Sequence, residues 1–187
     1  MSINNNTKEY WDKDWGTGKR RFPSYTMNIV RWLIPEGLSV LDIGCGNGKF
    51  LRDVRDNSKP GKLFGIDISP VAIKKMNDSG IDGVVWDVEN FNDFNMEFDV
   101  TVCTHVFEHV DNDIGLAKNI ARVTKKLILV AVPNDCSYPE FTGTHVRKYN
   151  FESLCKLFEN TDFKTIKNLT RTNKRMLKNH LIVSFEK

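Results

Sequence analysis

Nowhere does the chain hold the roughly 18 consecutive apolar residues that a transmembrane helix needs. Its four cysteines, at positions 45, 103, 136 and 155, form no C-x-x-C pair. That argues against a zinc cluster of the usual kind and against a disulfide framework. Net charge is a mild +3, so the overall balance names no partner. No low-complexity tract and no internal repeat break the sequence. The opening residues, Met1 to Glu9, are polar and lack a signal-peptide core. These absences lead us to expect a cytoplasmic protein with reduced thiols and no membrane contact. What remains is an ordinary globular composition, 40% hydrophobic and 27% charged over 187 residues. That is enough chain for one domain, residues 1–187, with a proper core.

The most informative segment runs from Val40 to Leu51. An apolar run, 38–43, enters a loop carrying Gly44, Gly46 and Gly48, and a helical pattern follows. Strand, glycine loop and helix N-terminus together make a nucleotide-type pocket, because glycines admit a ligand close to the backbone and the first helical N–H groups are unpaired. The dinucleotide fingerprint G-x-G-x-x-G would put its third glycine at Lys49. It falls at Gly48 instead, giving D-x-G-x-G-x-G from Asp42.

Two further apolar runs end in acids: one at Asp67, about twenty residues past the glycines, and one at Asp87. An acid at the first of these places can accept hydrogen bonds from both ribose hydroxyls. Asp67 is also read as a turn or capping residue before Ser69-Pro70. A fourth run, 98–103, leads into Thr104-His-Val-Phe-Glu-His-Val110, and a fifth, 126–132, ends in Pro133-Asn134. The expected elements are strands at 38–43, 62–67, 83–87, 98–103 and 126–132, alternating with helices at 48–57, 70–78, 111–123 and 150–160. A helix is also expected from Ser24 to Leu33, and two closing strands at 163–170 and 180–185. This is a doubly wound α/β pattern, with helices on both faces of a mostly parallel sheet.

The glycine loop, the two strand-end acids, the E-H-V segment at 108–110 and His145-Val-Arg147-Lys-Tyr149 taken in register resemble class I, Rossmann-like S-adenosylmethionine-dependent methyltransferases of the small-molecule type. The resemblance covers most of the chain, from about Leu38 onward. It implies a seven-stranded sheet in the order 3-2-1-4-5-7-6, and S-adenosylmethionine as cofactor, with S-adenosylhomocysteine as product. It further implies cofactor contacts from Asp42, Gly44, Cys45, Gly46, Gly48, Asp67, Ile68, Asp87, Val88 and Cys103, with Asp87 and the Val88 N–H reading adenine.

Acceptor recognition is expected from an aromatic N-terminal cap, residues 1–36, and a lid loop, residues 134–150. The named candidates there are Tyr10, Trp11, Trp15, Tyr25, Tyr138, His145, Arg147 and Tyr149. Methyl transfer needs alignment and water exclusion more than an elaborate catalytic group, but a hydroxyl or ammonium acceptor needs a base. His105 and His145 are the catalytic candidates. A small-molecule acceptor methylated on oxygen or nitrogen is the leading reading. The basic stretch Lys164 to Lys178 and the cluster Lys19 to Arg21 keep an RNA or protein acceptor open. A cofactor-binding subunit without activity is a third possibility.

His105-Val-Phe-Glu-His109 also spells H-x-x-E-H, an inverted zinc-protease signature. The surrounding strand pattern excludes a protease. On a helix, 105, 108 and 109 would share one face. Metal-dependent O-methyltransferases of the ubiquinone-biosynthesis and small-RNA 3′-end types carry E-x-x-E-H there. This chain departs from that pattern at His105. The expectation is therefore no metal, with His105, Glu108, His109 and His145 as the alternative ligand set, suited to a softer ion than magnesium.

Overall fold

The structure is a computed structural model that describes residues 6–17, 24–134, 144–169 and 180–187. Most of the basic stretch Lys164 to Lys178, from residue 170 on, lies outside the described residues, as do Lys19 to Arg21 and most of the expected lid.

Two helices precede the sheet, α1 (Lys8–Gly16) and α2 (Ser24–Trp32). The alternation then runs β1 (Val40–Ile43), α3 (Lys49–Asn57), β2 (Leu63–Asp67), α4 (Pro70–Asn77), β3 (Gly83–Val85), β4 (Phe98–Thr104), α5 (Asp113–Val123), β5 (Thr124–Pro133), α6 (Phe151–Lys156), β6 (Lys164–Asn168) and β7 (His180–Glu186). The strands form one seven-stranded sheet in the order β3-β2-β1-β4-β5-β7-β6. Strands β1 to β5 pair in parallel, and β7 inserts antiparallel to both β5 and β6. This is the class I methyltransferase topology that the resemblance implied.

Local chemistry explains where the helices begin. Ser69 caps α4 through a bond from the Ala72 N–H, with Pro70 at the first helical position. Asn112 caps α5 in the same way, and Asn150 with Ser153 makes a reciprocal capping box on α6. Thr7 caps α1, a helix the apolar periodicity did not announce.

Side chains alternate between the two faces of the buried strands. Val40, Val100, Val102, Leu129 and Ala131 pack under α2, α3 and α4. Leu41, Ile43, Ile128, Val130 and Phe185 pack under α5 and α6. The chain leaves β1 toward opposite sides, to β2 on one and β4 on the other, so the strand order reverses there. In open α/β sheets the crevice at such a reversal, beyond the strand carboxyl ends, receives the ligand.

One local expectation is corrected. The E-H-V segment does not open a helix: Phe107–His109 is a single tight 3-10 turn, and α5 starts only at Asp113. His105 precedes that turn with φ of 57°, in the left-handed region. It therefore does not share a helical face with Glu108 and His109. Its N–H is anchored on the Ala131 carbonyl (2.8 Å).

Candidate active site

A cavity of about 310 Å³ opens at the carboxyl edge of β1, β2, β3 and β4. Gly44, Asp67, Ile68, Asp87 and Val88 line one side, and His105, Val106, His109 and Asp111 the other. The volume lies at the lower end of the range for small-ligand sites. Trp11 and Trp15 of α1 cover it, together with Asn6.

The glycine loop has a steric reason for its composition. Gly44 and Gly46 adopt φ of 71° and 54°. A Cβ on Gly44 would overlap the Val106 side chain, and one on Gly46 would overlap the Trp15 indole. The loop is held by Asp67, whose carboxylate accepts from the Gly46 N–H (2.8 Å) and the Ser69 N–H (2.9 Å). Asp67 also lines the cavity. Asp87 sits two residues past β3, accepting from the Glu89 N–H (3.0 Å) and the Asn90 side chain (3.1 Å).

Asp42 is fully buried beneath this loop, and its Oδ1 has no hydrogen-bond partner among the described residues. Burial, then the nearby Asp67 charge, pushes its carboxyl well above the usual range. Burial likewise raises the Cys45 and Cys103 thiols. Asp42, Cys45, Gly46, Gly48 and Cys103 shape and support the loop, while the cavity surface itself comes from the other cofactor candidates.

Helix α1 is docked by polar contacts. Asp12 accepts from the Ser69 hydroxyl and the Val71 N–H at the start of α4, where the helix dipole favours an anion. Lys75 donates to the Trp15 carbonyl (2.7 Å). Asn6 donates to the carbonyls of His109 (3.0 Å) and Thr144 (2.7 Å).

The other side of the site gathers every histidine in the sequence, His105, His109, His145 and His180. The His105 and His180 rings meet edge to face at 4.9 Å between centroids, and His109 and His145 do the same at 4.9 Å. Glu108 lies among them, 1% exposed. Its Oε1 is 3.1 Å from His105 Nδ1 and 3.9 Å from His109 Nε2. Burial works to raise the Glu108 carboxyl, but the hydrogen bond from His105 and the pull of the His105 and His109 rings when protonated outweigh it, so the group stays below its ordinary value. Burial lowers His145 and carries His180 down to about 4, with the His105 charge adding to the latter shift. A left-handed non-glycine backbone costs of order 1–3 kcal/mol and tends to cluster at functional sites. His105 has that conformation where it lines the cavity.

Of the expected lid residues, Trp11 and Trp15 line the cavity and His145 stands against His109. Tyr10 is exposed, its ring edge to face with Trp11. Tyr149 is buried, with its hydroxyl 2.8 Å from Asp113 and 3.2 Å from the Phe107 carbonyl. Arg147 pairs with Asp113 and donates to the Asp111 carbonyl (2.7 Å). These two pin the closing residues of the expected lid and do not line the cavity. Tyr138 and the side chain of Tyr25 lie outside the described residues. Reading the sequence missed Trp86 and Glu89 as lining residues and His180 as a member of the imidazole group. Trp86 adjoins Asp87, which was the available signal.

Residues 17–168 match the family model described as a methyltransferase domain. The chain belongs to this family. It is 29% identical over 139 residues to a bifunctional methionine biosynthesis protein, MetXA/MetW, of Rhodopirellula baltica, covering 66% of this chain and 21% of that protein. It is 35% identical over 105 residues to the mouse EEF1A lysine methyltransferase 2, covering 46% of this chain and 43% of that one. The chain thus spans less than half the length of these two curated relatives. Among solved structures, it is similar to the putative methyltransferase complexed with the Trm112 activator in Haloferax volcanii. There the TM-score is 0.78 at 17% identity, with 99% of each chain covered. It also resembles the magnesium protoporphyrin IX methyltransferase of Synechocystis PCC 6803, solved with bound S-adenosylhomocysteine. That match has a TM-score of 0.73 at 14% identity and covers 99% of this chain and 96% of that one. Among the described residues, no helix is long and apolar enough to cross a membrane.

Proposed function

We propose that this chain is a single-domain S-adenosylmethionine-dependent methyltransferase that methylates an oxygen or nitrogen of a small-molecule acceptor. The observation that carries this is one cavity with strand-tip carboxylates at one end and imidazoles at the other. The residues fit the cofactor. Gly44 and Gly46 leave room where any Cβ would clash, and Asp67 lines the cavity at the end of β2, where an acid can accept from ribose hydroxyls. Asp87 and Val88 line the same cavity and would read adenine, and Asp42 lies buried beneath the loop.

When bound, the cofactor supplies an electrophilic methyl group on a sulfonium. The protein aligns the acceptor and excludes water. Trp11 and Trp15 are placed for that exclusion. An acceptor hydroxyl or ammonium must shed a proton to become nucleophilic. His105 donates its Nδ1–H to Glu108, which leaves the Nε2 lone pair to take that proton, and the Glu108 carboxylate balances the imidazolium. Buried thiols at Cys45 and Cys103 suit a reducing cytoplasmic setting.

A second reading, a protein lysine acceptor, draws on the relatives named as lysine methyltransferases. Isothermal titration with S-adenosylmethionine and with NAD tests the cofactor, and we expect heat only from the former. Incubation with methyl-labelled cofactor then separates the acceptors. Label in small metabolites from a desalted extract supports the leading reading, and label retained only on protein supports the second.

A further inference from the structure

We propose that Glu108, His109 and His145 form a binding site for one borderline transition-metal dication of the zinc type, at the acceptor end of the cavity. A carboxylate oxygen of Glu108 and one ring nitrogen each of His109 and His145 all lie within 4.8 Å of one another. Two imidazoles with one carboxylate is the donor set of open zinc sites and of facial-triad iron(II) sites, in which further positions are left for water or substrate. It is a poor set for magnesium, which prefers oxygen ligands in octahedral geometry. The assignment goes beyond the proposed function and does not depend on which acceptor is used.

Three features show that the set is held in place. His109 Nδ1 lies 2.9 Å from the Thr144 carbonyl, so Nδ1 carries the proton and Nε2 presents its lone pair. A ring N–H given to a backbone carbonyl is the usual way a metal-binding histidine is oriented. The Val146 N–H donates to the Glu108 carbonyl (2.8 Å), which stitches the His145 segment beside the tight turn. Asn6 bridges the carbonyls of His109 and Thr144, so both ligand-bearing segments share one tether. The second oxygen of Glu108, Oε2, is buried without a hydrogen-bond partner among the described residues, an unusual state for a carboxylate that a cation would satisfy. His105 is not one of the three residues whose ligand atoms converge, and its Nδ1 bonds Oε1 of the same carboxylate.

The test is a titration of the chelator-treated full chain with cobalt(II), read by its visible d–d absorption, followed by zinc(II) competition. We expect one cobalt ion per chain, displaced by zinc but not by excess magnesium. Losing an orienting partner already costs about 10–100-fold in metal affinity. His145→Ala and His109→Ala should therefore each weaken zinc binding by more than about 100-fold. His180→Ala, which removes an imidazole outside the set, should leave it within about threefold. Circular dichroism of each variant without metal separates ligand loss from unfolding. His145 is only half-buried, so its variant is expected to fold. Absence of cobalt bands, displacement by magnesium, or zinc affinity that survives in a folded His145→Ala overturns the site. Titration of the metal-free wild type with S-adenosylmethionine stands apart. Its failure would sink the methyltransferase reading without touching the metal result.

Discussion

The two ends of the cavity are built by different rules. At the β1–β3 end, acids sit near successive strand ends, each followed by its own turn or helix start, and each unit is local. Asp67 holds the glycine loop across 21 residues, within one strand–helix–strand unit. At the β4 end, imidazoles arrive from the 105–109 turn, from His145 in the closing part of the expected lid and from the first residue of β7. One end repeats a short motif, and the other assembles from distant segments. The first is suited to a ligand common to many enzymes, the second to chemistry particular to this chain.

Gly46→Val should have the largest effect, and it strikes only the first end. A side chain at φ of 54° is strained, and it would also overlap Trp15. Calorimetry should show no cofactor binding, and a folded variant that binds normally would break the proposed division. His105→Gly strikes the other end. We expect kcat to fall by about 10²–10⁴ while cofactor affinity stays within about threefold. The same change relieves a left-handed backbone but strips the buried Glu108 carboxylate of its hydrogen-bond partner, so the melting temperature should fall. A matching drop in cofactor affinity would mean that the two ends are not separate.

Asp67→Ala should weaken cofactor binding by about 1.5–3 kcal/mol, the scale for lost hydrogen bonds to a charged acceptor. Unchanged affinity removes Asp67 from the ribose role. The smallest expected effect concerns stability at the imidazole end. His180 titrates near 4 in the fold against an ordinary 6.5. Between those values the unfolded chain holds the proton and the folded chain does not. Stability from His180 is therefore full above 6.5 and is lost as the pH falls toward 4. Allowing for partial solvent access, that loss is about 2 kcal/mol. Urea unfolding at both ends of this window measures it, and His180→Asn should flatten the slope. An equal slope in the variant assigns the titration elsewhere, with His105 and Glu108 the groups that face the ring.

Much of the fold was legible because strand runs, glycines and caps are local signals. Ser69-Pro70 marked α4, and Asp67 and Asp87 announced the strand ends in a regular rhythm. Two things were hidden for stated reasons. Helix α1 has no broad apolar face and is held instead by Asp12 on Ser69 and by Lys75 on the Trp15 carbonyl. Thr7 three residues before Tyr10, with Glu9 in the first turn, was the signal that could have found it. The imidazole group depends on pairings across the sheet, Pro133 with His180 and Asn134 with Tyr149, that no short window contains. The E-H-V segment misled because periodicity places 105, 108 and 109 on one helical face. The chain brings His105 to Glu108 through a left-handed residue instead.

The reversed direction of β7 decides which of its residues reaches the cavity side of the sheet. A strand running against its neighbours delivers its opening residue, not its closing one, to the rim where reactants meet. His180 is fixed there by its pairing opposite Pro133. The imidazole therefore owes its station to the strand register itself.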